Sequence, residues 1–148
     1  PRSGRAAEPC LARHFAIQLP PELELSEAHG RVSWGVRAIW EGYAGWFHHQ
    51  TPQLYAVPPE SVWADIVTLA GGPAPVAFRA KEKVETDQPE QALYLTAMAL
   101  EADPSHIPSL EARLAALEAL QSRGNGVNHS ETMWLKKEIV ETQRALER

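Results

Sequence analysis

Along most of this chain apolar residues recur at the three-and-four spacing of one helix face, and proline or glycine interrupts the pattern at short intervals. Ser33 is placed to cap a first helix running to about residue 46, with Val36, Ile39, Trp40, Tyr43 and Phe47 on one face. A proline-bounded loop follows over residues 50–58. Pro59, Glu60 and Ser61 open a second helix, because the fixed φ of proline suits a first helical turn. Val62, Trp63, Ile66, Val67 and Leu69 form its expected buried side, and Gly71 and Gly72 stop it. Further helices are predicted over residues 75–85, 90–102 and 108–123, and a last one from residue 130 to the C-terminus. Met133, Trp134, Ile139 and Leu146 are the apolar positions of that last helix, and Gly124, Asn125 and Gly126 make the turn before it.

The beginning of the chain reads differently. Residues 1–9 are polar, contain proline and glycine, and predict a flexible arm. Residues 12–19 alternate loosely, as a short strand or extended segment that Pro20 and Pro21 end. One strand cannot make a sheet, so this piece needs a partner. The expected architecture is all-α: a helical bundle over residues 21–148 behind a flexible or extended N-terminal arm or linker over residues 1–20.

A second periodicity lies inside the helices. Ala92, Thr96, Ala99, Leu100 and Pro104 follow the A-x3-F-x2-A-L-x3-P spacing of the second helix of a tetratricopeptide repeat, with Thr96 in the aromatic's place. Counting back puts Ala80 at the small position of the first helix, where small residues let antiparallel helices pack closely. Leu110, Leu114 and Leu117 continue the stack. Fewer repeats are visible than the roughly three a free-standing solenoid needs. A tetratricopeptide-like helix hairpin is therefore expected, and a stand-alone peptide-binding adaptor is the alternative function.

The chain has 148 residues and a formal net charge of −5, within the size of one domain. Lysines and arginines are scattered without a basic stripe, so no nucleic-acid partner is expected. No apolar run approaches the roughly 20 residues that span a bilayer, and no signal-peptide shape or other address can be read from the chain. Cys10 is alone, which leaves no internal disulfide and no C-x-x-C motif. Among the six histidines, His48 and His49 are adjacent and point about 100° apart on a helix, so they cannot grip one ion together. His14, His29, His106 and His129 stand in loop-like contexts and read as solvated or capping residues. No H-x-H, H-E-x-x-H, Walker or nucleophile-elbow motif occurs, and no catalytic or metal-binding residue is assigned. The acidic pairs Glu22/Glu24 and Glu82/Glu85 read as exposed faces.

What remains is unusual in composition. Residues 32–49 hold five large aromatic rings and three glycines. Aromatic rings bury much surface, and glycines let another backbone approach. This is a device for docking a helix. Trp34, Trp40, Tyr43, Trp46 and Phe47 are the candidate interface or cleft-wall residues. Arg37 joins them as a surface arginine that either pairs with a carboxylate or grips an anion.

The same run, from Ser33 through Val36, Arg37, Ala38, Ile39, Trp40, Tyr43 and Gly45 to Trp46 and Phe47, resembles the signature helix of the alkyl sulfatase dimerisation domain. Members of that family read approximately S-H-N-V-(R/K)-A-V-Y-Q-x-Y-x-G-W-F. The similarity continues through Pro58 and Pro59, Leu69 to Gly72, Glu90 to Leu93 and Ala102 to Pro104, and covers about residues 19–146. It implies a helical module that follows a metallo-β-lactamase-type catalytic domain with two zinc ions, in an enzyme that hydrolyses alkyl sulfate esters. This chain contains no H-x-H-x-D-H motif, so zinc is expected only in a separate catalytic domain and no cofactor in this chain. The implied partners are a second copy of the chain, a metallo-β-lactamase-type catalytic domain, or both. Trp34 and Gly35 replace the family's His-Asn pair, and Trp40 stands where tyrosine is usual. If the replaced pair lines the sulfate pocket in the family, the resemblance implies a different or more apolar substrate here, or none.

Overall fold

Proline and glycine frame the helices as the pattern predicts. The computed structural model describes residues 19–24, 26–47 and 50–148. Among these residues there are six α-helices and no strand: α1 (Val32–Ala44), α2 (Trp63–Leu69), α3 (Pro73–Glu85), α4 (Pro89–Ala102), α5 (Ile107–Gly124) and α6 (His129–Leu146). Short 3₁₀ turns precede α1 at Pro21–Leu23 and separate α1 from α2 at Thr51–Leu54 and Pro59–Val62. The arm expected at residues 1–9, Cys10, His14, all but the last residue of the extended segment expected at residues 12–19, and His48 and His49 lie outside the described residues.

Two predicted helices are shorter than expected. The first starts at Val32, with Arg31 as its N-cap residue, so Ser33 sits inside it rather than capping it. It ends at Ala44, because Gly45 takes a φ of 73°, a left-handed turn that leaves Trp46 and Phe47 beyond the helix. The second predicted helix begins as the 3₁₀ turn Pro59–Val62 and becomes α-helical only at Trp63. Of its expected buried side only Val67 is buried, while Val62, Ile66 and Leu69 are exposed. Gly71 and Gly72 end α2 at φ of 90° and 105°, and their N–H groups donate to Thr68 O and Val67 O. In α6 Ile139 is buried, but Met133 and Trp134 are exposed.

The helices from α2 onward form a stack. α3 packs on α4 and α5, α4 on α5, α5 on α6, and α2 lies against α4. At the centre are alanines: Ala80 of α3, Ala92 of α4, and Ala112 and Ala116 of α5. Alanine costs no side-chain entropy in a helix and lets helix axes approach closely. Two further clusters, which add larger side chains, lie beside these alanines. Val67, Val76 and Ala99 form one, and Leu117, Leu135 and Ile139 the other. Ala80, Ala92 and Ala99, the small positions of the repeat spacing, are fully buried. Thr96 is also fully buried and satisfies its hydroxyl by donating to Leu93 O at 3.0 Å. α5 and α6 are further joined by Arg113 and Glu138 at 2.5 Å, both mostly buried.

Candidate functional site

The helix that carries the sequence signature takes no part in this stack. α1 contains no buried residue. Tyr43 is 90% exposed, Ile39 63%, and Trp34 and Trp40 also keep large exposed surfaces. Beyond the helix Trp46 is 68% exposed and stacks edge-to-face on Phe47, with ring centroids 5.7 Å apart. Val36, Ile39, Trp40 and Tyr43, placed on one face by the sequence pattern, are not buried within one chain, and among the described residues α1 shares no extensive interface with a helix of the stack. Among the described residues outside their own helix backbone, no atom lies within 4 Å of a Cβ built on Gly35 or Gly42. The helix surface around them is accessible to another backbone.

Arg37 donates from Nε to Glu41 Oε1 at 2.8 Å, one turn along the same helix. That hydrogen bond, then the charge of Glu41, raises the guanidinium further above its already high pKa. Arg37 thus has a carboxylate partner within its own helix.

Near its start, α1 meets α6 at Trp34. Trp34 lines a groove of about 410 Å³ with Ser130, Glu131, Trp134 and Leu135 of α6. The walls are mostly indole and leucine, and Lys137 Nζ lies 5.0 Å from the Trp134 ring centre on the same helix. Beside the groove, the loop before α1 is tied to the start of α6. Asn128 donates to Glu27 O and Gly30 O, His129 N–H donates to Ala28 O, and Arg31 pairs with Glu131. His29 and His129, which stand alone in the sequence, meet here with ring centres 5.5 Å apart. Residue-by-residue reading missed this joint, since its partners are about 100 positions apart. The local signal was Asn128 three residues before Glu131, which is a helix-start pattern. His106 is the N-cap residue of α5 but caps no backbone N–H with its side chain; its Nδ1 hydrogen-bonds with Ser109 Oγ at 2.8 Å.

Among the described residues no group of three or more His, Cys, Asp or Glu is placed to hold a metal ion, and no helix is long and apolar enough to cross a membrane. Among the described residues α1 and the groove beside it present apolar surface.

Comparison with known proteins agrees with that character. Residues 14–137 match the family model for alkyl sulfatase dimerisation. A linear primary-alkylsulfatase of Pseudomonas sp. (strain ATCC 19151) is 36% identical over 61 residues, which is 38% of this chain and 12% of that protein. The solved structure of a double mutant of the sec-alkyl sulfatase PisA1 superposes with a TM-score of 0.73 over 92% of this chain at 20% identity, and so shares the fold. The chain spans only 22% of that protein's length. With most of its length matched by the family model, this chain belongs to the alkyl sulfatase dimerisation family, whose name implies self-association.

Proposed function

We propose that this chain is the helical dimerisation module of an alkyl-sulfatase-like metallohydrolase, and that α1 with Trp46 and Phe47 is its self-association surface. The observation that carries the reading is a helix of large apolar residues, in a domain of this family, with none of them buried. Exposed apolar patches on small domains mark interfaces, and tryptophan and tyrosine dominate binding energy when a partner covers them. The whole protein would hydrolyse alkyl sulfate esters. Its zinc chemistry would reside in a metallo-β-lactamase-type domain, with Trp34, Arg37, Trp40 and Tyr43 near one wall of the cleft.

Sedimentation equilibrium of the chain across a wide concentration range tests the reading. A monomer–dimer equilibrium that Trp46→Ala weakens is expected. A chain that stays monomeric at the highest concentration would overturn it.

The peptide-adaptor reading has one observation in its favour. A groove of about 450 Å³ runs between α3 and α5, lined by Ala77, Phe78, Lys81 and Glu111 among others. A monomeric chain that binds apolar peptides, and loses them on Phe78→Ala, would favour this second reading over the first.

A further inference from the structure

The loop over residues 27–31 and the start of α6 are joined by more hydrogen bonds than a surface loop requires. Asn128 is at the centre. It is 3% exposed, and three of its bonding sites are filled. Its Oδ1 accepts the Glu131 N–H at 2.9 Å, capping α6. Its Nδ2 donates to Glu27 O at 2.7 Å and Gly30 O at 2.8 Å. His129 N–H, the next donor along, reaches Ala28 O at 2.6 Å. Two consecutive residues thus grip three backbone carbonyls of one short loop. That loop in turn starts α1: Glu27 Oε1 accepts the Val32 N–H at 2.8 Å, and Arg31, the N-cap residue of α1, pairs with Glu131.

An amide side chain is suited to this task because it accepts on one atom and donates twice on the other. Aspartate would cap the helix equally well but would face the two loop carbonyls with an acceptor. Among the described residues α1 shares no extensive interface with a helix of the stack, and this joint and the Trp34 contact beside it tie the start of α1 to the start of α6.

We propose that Asn128, with the Arg31–Glu131 pair, is a positioning residue: it fixes the direction in which α1 leaves the bundle and so presents the aromatic face as a rigid surface to a second copy of the chain. This rests on the self-association reading above. Ordering a mobile helix at the moment of association costs binding free energy, and a joint formed beforehand removes that cost.

The test is Asn128→Asp in the full chain, read in three ways. The thermal melt followed by circular dichroism should stay close to that of the parent, because the α6 cap is kept. Amide hydrogen exchange over residues 32–44 should accelerate, and the dimer dissociation constant should rise by about tenfold, the scale of losing buried hydrogen bonds. Unchanged exchange in α1 together with an unchanged dissociation constant would overturn the proposal. If Asn128→Asp unfolds the bundle, Arg31→Met decides, since it breaks the ion pair and leaves the cap: faster α1 exchange supports the joint, and unchanged exchange overturns it. Trp46→Ala run alongside separates the two readings. A dimer insensitive to Trp46→Ala, with α1 loosened by Asn128→Asp, would sink the α1 interface and leave the joint standing. A dimer weakened by Trp46→Ala but indifferent to Asn128→Asp would sink the joint alone.

Discussion

Where α3, α4 and α5 meet, the buried positions are alanines; along α1 the apolar positions are tryptophan, isoleucine and tyrosine, and none is buried. The difference is one of where large side chains can go. Alanine at facing positions brings helix axes close, and the stack then has no room for an indole. Val67, Val76, Leu117, Leu135 and Ile139 lie in the two clusters beside these alanines. The five aromatic rings of residues 32–49 are left outside a core that is already complete. The bundle thus buries its core among its own helices, while the aromatic segment stays at the surface.

The contrast breaks most sharply at Leu117. Truncating it to alanine should cost about 2–5 kcal/mol in urea unfolding, the usual range for a buried leucine. The aromatic segment should behave the opposite way. Tyr43→Ala and Trp46→Ala should leave the urea midpoint nearly unchanged and weaken self-association by more than about 1 kcal/mol each. Trp40→Ala should do likewise on association. If Trp46→Ala instead unfolds the domain, the ring belongs to the core and the contrast between the two regions is lost.

Ion pairs sharpen the comparison on a finer scale. Arg113 and Glu138 join α5 to α6 with both side chains mostly buried. Glu138→Gln removes the charge from that bond and should destabilise the bundle by about 1.5–3 kcal/mol at most, the range for hydrogen bonds to charged groups, with little salt dependence. Arg37→Ala is expected to have the smallest effect. Its pair with Glu41 is exposed and lies within one helix, so the loss should be about 0.3–0.5 kcal/mol and should fade in high salt. A large loss of assembly on Arg37→Ala, measured by sedimentation, would mean that the guanidinium meets a partner group rather than Glu41 alone.

Local chemistry is what made the helices legible. Pro73, Pro89 and Pro108 stand in the first turns of α3, α4 and α5, and Gly71, Gly72, Asn125 and Gly126 take the left-handed or positive-φ turns between helices. These are short-range effects, so the order of residues contains them. The error at the end of α1 was also local. The pattern places Gly45 within the helix, while in the structure it terminates the helix and leaves Trp46 and Phe47 beyond it. The burial of Thr96 in place of an aromatic is explained by a bond to Leu93 O, three residues back, which a helix supplies by itself.

By itself the sequence determined the helical class, the alanine positions at which helices meet, and a run of aromatic residues too large for a small core. Each follows from periodicity, side-chain volume or backbone preference within a few residues. Only the tertiary structure decided which apolar face is covered. The spacing of Val36, Ile39, Trp40 and Tyr43 describes a face but not what lies against it. Whether that face meets a helix of its own chain depends on how α1 is attached, and the attachment is made by Asn128 and Glu131, about a hundred residues away. Contacts at that separation leave no period and no local motif. They arise when the completed bundle brings the start of α6 beside the start of α1, and hydrogen bonds between the two then set where the aromatic helix points.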